Sequence, residues 1–215
     1  MKAANREFLD RFISGPRFLL LGQGTWALQD GADPLLAGLG QLDGGNPGLT
    51  PLLQWNPGTV QTAYTRLAQH AQSTELPPAI RRVAAHGWNG VFTSIIDGRV
   101  TRLFDADWRR VAPVVGHESE SRTPRSSTEL KVRMLFGGLH LAEDQRPPSD
   151  ELSYALRGQE ALSTLGRLAD ELITPRGLLA IEGYRARWDW LEPRDLFGIL
   201  SRLQPGQAHL FSADG

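Results

Sequence analysis

The 215-residue chain contains no cysteine, which excludes a disulfide framework, a thiolate zinc site and a thiol nucleophile. Lysine is almost missing as well. Lys2 and Lys131 are the only lysines among 23 basic residues; one lies at the terminus and the other beside an expected strand, which argues against a mechanism built on a catalytic lysine. No charge of one sign prevails. With 23 basic and 24 acidic residues the formal net charge is -1, so there is no whole-chain electrostatic basis for holding DNA or an anionic membrane, and no direct nucleic-acid signal. No apolar run approaches the roughly 20 residues of a membrane span, and the first eight residues lack the apolar stretch of a signal peptide. A cytoplasmic protein with no membrane partner is expected. There is no Gly-x-x-x-x-Gly-Lys phosphate loop and no Gly-x-Ser-x-Gly nucleophile elbow. His117-Glu118 and His140-x-x-Glu143-Asp144 hold one histidine each, so no metal site is expected.

What is present is ordinary for a globular domain: 40% hydrophobic and 22% charged residues, with 23 glycines and 14 prolines spread along the chain rather than pooled. The pattern predicts one domain over 1–215, with no attached effector expected within the chain. Short apolar runs predict buried strands at 17–21, 90–96, 110–115, 130–136, 177–181 and 208–211. Between them, 59–72 shows the 3.6-residue spacing of an amphipathic helix through Val60, Ala63, Tyr64, Leu67, Ala68 and Ala71, and 78–86 predicts a second helix ending at Gly87. A short helix is expected near 100–104 and another over 193–203. The segment 32–57 reads as a short helix and a long loop.

The clearest helix opens at Ser149 as N-cap with acids in its first turn, then places Leu152, Ala155, Leu156, Leu162, Leu165, Leu168 and Leu172 as a core stripe. A stretch from His117 to Glu129 has no hydrophobic residue and six Ser or Thr, which predicts an exposed, mobile polar loop. Strands alternating with helices give an α/β fold of Rossmann-like type, a mainly parallel sheet flanked by helices. In such a sheet a ligand lies beyond the carboxyl ends of the strands, where several of these runs end in glycine with a polar neighbour. The first, Gly22-Gln23-Gly24-Thr25, could bring backbone N–H groups close to a pyrophosphate or form a tight turn only. It lacks the third glycine of the dinucleotide fingerprint. Trp188 and Trp190, beside Asp189, could stack on a base, pack, or form an interface.

The order of the motifs is more informative than any one of them: an apolar strand into Gly22-x-Gly24, then Val91-Phe-Thr-Ser-Ile-Ile-Asp97, then Leu135-Phe-Gly-Gly138, then Leu179-Ala-Ile-Glu-Gly-Tyr184 with Asp189 following. This order resembles the sirtuin-like NAD-binding domain, in the branch found in prokaryotic anti-phage defence proteins, over about residues 7 to 212. In that family the first loop reads Gly-Ala-Gly-x-Ser, the second Thr-Gln-Asn-x-Asp or Thr-Asn-Tyr-Asp, the third Leu-His-Gly, and the last Ile-Gly-Tyr-Ser followed by Asp. The resemblance implies NAD or ADP-ribose as ligand, with Gly22, Gln23, Gly24, Thr25, Thr93, Asp97, Gly137, Gly183 and Tyr184 binding it. It also implies a homo-oligomer, a partner defence protein such as a ring-forming ATPase, or both.

The departures bear on chemistry. Ile95 (or Ile96 in the shorter register) stands where the family has its catalytic asparagine, and Phe136 where it has its catalytic histidine. Loss of a positioned acid–base group costs about 10²–10⁴-fold. The expected function is therefore a catalytically degenerate module that binds NAD or ADP-ribose or serves assembly. Two alternatives remain open. One is an active NAD glycohydrolase that uses surrogate residues, with Asp97 on the carboxamide and Ser94 or His140 as further candidates; His86 and Asn89 precede the same strand. Strand alternation is expected to turn Ser94 away from the position it would have to fill. The other is a nucleotide-free scaffold, in which Trp26 would block the cleft together with Ile95 and Phe136. Exposed interface candidates are Trp188, Trp190, Arg185, Arg187 and Arg194.

Overall fold

The computed structural model describes residues 3–26, 57–116, 128–172, 176–185 and 189–211. Six strands form one all-parallel sheet: β1 (Arg17–Leu21), β2 (Gly90–Thr93), β3 (Arg110–Val114), β4 (Glu129–Met134), β5 (Leu178–Glu182) and β6 (Ala208–Phe211), in the order β3-β4-β2-β1-β5-β6. The helices are α1 (Ala3–Ser14), α2 (Pro57–Ser73), α3 (Pro78–Ala84), α4 (Arg99–Phe104), α5 (Glu151–Glu171) and α6 (Pro193–Leu200). The fold is thus α/β and Rossmann-like. No helix among the described residues is long and apolar enough to cross a membrane.

The central strands are near-continuous apolar runs because helices cover both of their faces, so alternation carries no polar side. Phe18 and Leu20 of β1 pack with α2, α5 and α6 on one face. Leu19 and Leu21 pack with α3, α4 and part of α1 on the other. Register follows: Leu19 lies opposite Val91 of β2 and Ala180 of β5, and all three belong to the second cluster. The apolar stripe of α2 is buried at Val60, Ala63, Tyr64, Leu67 and Ala71, as its spacing predicts. On the first face β4 presents Arg133, whose guanidinium lies 5.0 Å over the Phe92 ring.

Several boundaries differ from the sequence expectations. The second strand stops at Thr93, not at residue 96, because the Thr93 hydroxyl accepts the Ile95 amide at 3.0 Å and turns the chain out of the ladder. The fourth begins at Glu129 and stops at Met134, so Glu129 is not loop, and Leu135 and Phe136 lie in the turn that follows. Residues 117–127 of the expected polar loop, and the expected elements over 32–56, lie outside the described residues.

Asp150, rather than Ser149, caps α5: its Oδ1 accepts the Ser153 amide at 2.8 Å while the Ser153 hydroxyl accepts the Asp150 amide at 3.1 Å, a closed capping box. That amide bond holds the Asp150 carboxyl below its ordinary range. The leucine stripe of α5 is only half core. Leu165, Leu168 and Leu172 are buried, but Leu152 is 72% and Leu156 56% exposed, and helical periodicity puts these two on the face turned away from the sheet.

Candidate functional site at the carboxyl edge of the sheet

From β1 the chain passes to β2 on one side, and from β4 it crosses to β5 on the other. The strand order therefore reverses between β1 and β5, the place where ligands of open parallel sheets bind. Three of the sequence-predicted segments meet there, and a fourth lies on the same edge of the sheet. A single turn of tight helix, Gln23–Trp26, follows β1; Ser94–Asp97 follows β2; Gly137 follows β4; Gly183–Arg185 follows β5.

The crevice between β1 and β5 is closed by the chain itself. The Gly22 amide donates to the Glu182 carbonyl at 2.9 Å, and the Thr25 hydroxyl donates to the same carbonyl at 3.2 Å. A Cβ on Gly22 would stand 2.5 Å from the Tyr184 Cα, and one on Gly24 2.6 Å from the Gly183 carbonyl oxygen. Gly183 itself has φ +67, and a Cβ there would fall 2.1 Å from the Thr25 nitrogen. These glycines are required by the approach of two chain segments to one another.

Asp189 is the centre of this closure. Its Oδ1 accepts the Gln23 amide at 2.8 Å and the Ser94 hydroxyl, and its Oδ2 accepts the Arg185 amide at 2.8 Å. One carboxylate thus ties the loops after β1, β2 and β5. It is 3% exposed, and burial lifts its carboxyl to about 6 against the opposing pull of the Ser94, Arg185 and Gln23 donors. Ser94 reaches it because it lies beyond the end of β2, where strand alternation no longer fixes its direction.

The other polar candidates are also engaged. The Thr93 hydroxyl donates to the Leu21 carbonyl at 3.0 Å. Asp97 is held in a fork by Arg99, Nε to Oδ1 at 2.9 Å and Nη2 to Oδ2 at 2.8 Å, with both side chains almost fully buried and Arg99 stacked 4.7 Å over the Trp26 ring. The His140 Nε2 lies 2.8 Å from the Thr101 hydroxyl. Burial lowers the His140 pKa, while the nearby Asp97 charge pulls it the other way. His140, Thr101, Gly98, Leu139 and Ala68 line a cavity of about 250 Å³ to which no glycine-loop residue contributes. Gly137 has φ +84 and faces the Gln145 carbonyl, where a Cβ would sit at 2.5 Å. Asn89 takes the Arg17 amide at 2.9 Å at the amino end of β1, and His86 packs its ring 5.2 Å from Phe12, so neither is at the site.

The two positions at which the resembled family keeps its asparagine and histidine are hydrocarbon core. Ile95 is 0% exposed and belongs to the same cluster as Trp26; Ile96, the alternative register, is 1% exposed and lies in the opposite cluster with Phe136. Phe136 is 2% exposed, stacks 5.9 Å from Tyr154 and meets Trp190 edge-on at 5.6 Å. Trp26, Ile95 and Phe136 therefore do not form one plug: the sheet separates the first two from the third. Trp190 is buried and is not a surface residue, which removes it from the exposed interface candidates; its Nε1 and that of Trp26 have no hydrogen-bond partner among the described residues. Trp188 and Arg187 lie outside the described residues, Arg185 is half-buried, and Arg194 is exposed and paired with Glu192 at 2.9 Å.

The sequence expectations missed Arg99 and Tyr154, and they placed Asp189 only as a motif match. For Arg99 the signal was present, a basic residue two positions after Asp97 in a turn. Among the described residues no group of three or more His, Asp or Glu side chains is arranged to hold a metal ion. No family model matches the chain, and no curated protein matches it.

Proposed function

We propose that the chain is a catalytically degenerate sirtuin-like module of a prokaryotic defence assembly, acting through what it binds. Its ligand would be NAD or ADP-ribose, or a protein partner. The observation that carries this reading is the burial of Ile95, Ile96 and Phe136 as core hydrocarbon at the positions where the resembled family keeps its asparagine and histidine. No side chain there can orient water or take a proton. The partner would be further copies of this chain, a ring-forming ATPase, or both, in the cytoplasm.

As the residues stand, the crevice does not fit a pyrophosphate. The amide that would cradle it, that of Gln23, is taken by Asp189, and the glycines touch the β5 loop rather than open space. This favours a second reading, a nucleotide-free scaffold. An active NAD glycohydrolase is the least supported, since Asp97 is committed to Arg99, Ser94 to Asp189 and His140 to Thr101. Calorimetric titration with NAD and with ADP-ribose separates the first two readings. Saturable binding of either ligand supports the nucleotide module, and no heat with either ligand at millimolar concentration leaves only the scaffold.

A further inference from the structure

We propose that the cavity between α5 and the start of α6 is a binding site for a small organic cation, a protonated amine carried on an aromatic body. This goes beyond the nucleotide reading and holds whether or not the chain binds NAD or ADP-ribose. The cavity measures about 340 Å³. Phe136, Tyr154 and Trp190 form its aromatic wall, Leu162 and Leu191 add apolar surface, and Gly158 stands in the side given by α5. The Phe136 ring lies 5.9 Å from that of Tyr154 and 5.6 Å from that of Trp190, and the Tyr154 and Trp190 rings meet edge-on at 5.9 Å. The Tyr154 hydroxyl donates to the Trp190 carbonyl at 2.8 Å, which fastens the wall.

Three independent observations point to an occupant and to its charge. Gly158 lies in the interior of α5, where glycine weakens a helix, yet a Cβ there would meet nothing within 4 Å, so no close packing requires it. Its effect is to leave the cavity wide. Trp190, in the wall, is 1% exposed, and its indole Nε1 has no hydrogen-bond partner among the described residues. A buried donor left unmet costs stability, and an acceptor on an occupant would meet it. Charge decides the class. Among the described residues that line the cavity, Glu151, Glu192 and Asp195 face one guanidinium, that of Arg194, which lies 2.9 Å from Glu192 and 3.7 Å from Asp195. Three carboxylates against one guanidinium leave the cavity negative. Tyr154 feels the same field: burial raises its hydroxyl pKa, and the charges of Glu192 and Asp195 raise it further against the pull of Arg194. Carboxylates beside aromatic rings favour an ammonium and disfavour an anion of the same shape.

The test is calorimetric titration of the full chain with tyramine, whose ammonium suits the carboxylates and whose phenol oxygen is an acceptor, and with 3-(4-hydroxyphenyl)propionate, which keeps the phenol and carries a carboxylate instead. Two variants are titrated alongside, with circular dichroism and thermal melting as checks on folding. G158L fills the cavity from a position where any other side chain strengthens the helix, and E192Q removes one exposed carboxylate from the rim. Tyramine should bind at one site per chain, at least about tenfold more tightly than the propionate. G158L should weaken tyramine at least about tenfold, and E192Q about two- to fivefold, the worth of an exposed charge pair. No saturable heat with tyramine at millimolar concentration overturns the assignment, as does equal or tighter binding of the propionate, or unchanged affinity for tyramine in either folded variant. Should G158L not fold, E192Q decides between the variants: unchanged or tighter affinity overturns the site.

Discussion

Replacing Asp189 by Asn removes the buried carboxylate that ties three loops together, and the structure fixes how stability should respond to pH. Burial lifts this carboxyl from the ordinary 3.8 to about 6, more than the Ser94, Arg185 and Gln23 donors bring it down. Between those two values the folded chain keeps a proton that the unfolded chain has released. Stability from this group is therefore full below about pH 4 and is lost as pH rises through about 6. At about 1.4 kcal/mol per pH unit the loss amounts to up to about 3 kcal/mol. Other carboxylates act in the opposite sense, Asp150 among them, with its pKa lowered by its cap bonds. Their contributions cancel when wild type is compared with D189N at each pH. Urea unfolding of both proteins from mildly acid to neutral pH should show wild type losing ground to the variant as pH rises, with the change centred between about 4 and 6. A difference that stays flat, or one in which wild type gains as pH rises, would refute the placing of Asp189 as a desolvated acid.

Two further substitutions probe the packing behind the site. Asp97→Ala strands the buried Arg99 guanidinium and should cost about 3–5 kcal/mol by urea unfolding, with Arg99→Met in the same chain recovering much of it. A loss below about 1 kcal/mol would mean that the fork is not buried as described. Phe136→Ala should cost about 3–5 kcal/mol, because the ring packs between Tyr154 and Trp190, whereas Leu152→Ala on the exposed face of α5 should stay within about 0.5 kcal/mol. Equal effects from the two would contradict the half-buried stripe.

The central strands β1, β2 and β5 were readable because they are covered on both faces: a run such as Phe18-Leu19-Leu20-Leu21 has no other comfortable setting, and the glycines after β1 and β5 mark where such runs end. The helix α2 was readable from its spacing because only one of its faces is buried. The cap of α5 was misplaced by one residue because Ser149 and Asp150 are both good caps, and only the reciprocal bonds of Ser153 choose between them. The leucine stripe was misread because its leucines do not share one face: Leu152 and Leu156 lie about half a turn round the helix from Leu165, Leu168 and Leu172. At the site, the meeting of the loops after β1, β2 and β5 was legible from the places of Gly22, Thr93 and Gly183 at strand ends. What fills the crevice was not. Gln23 and Asp189 are 166 positions apart, and nothing local to either says that one will ligate the other. Likewise the turn at Thr93, made by a side-chain hydroxyl, hid the freedom of Ser94 to reach that same carboxylate.

The central claim, a nucleotide fold without nucleotide chemistry, is tested most directly by NAD consumption. Purified chain at high concentration is incubated with NAD while nicotinamide release is followed, alongside Asp97→Ala and His140→Ala. Burial of Ile95 and Phe136 predicts no release above the protein-free rate from any of the three. Turnover by the wild-type chain that either substitution abolishes would contradict the account.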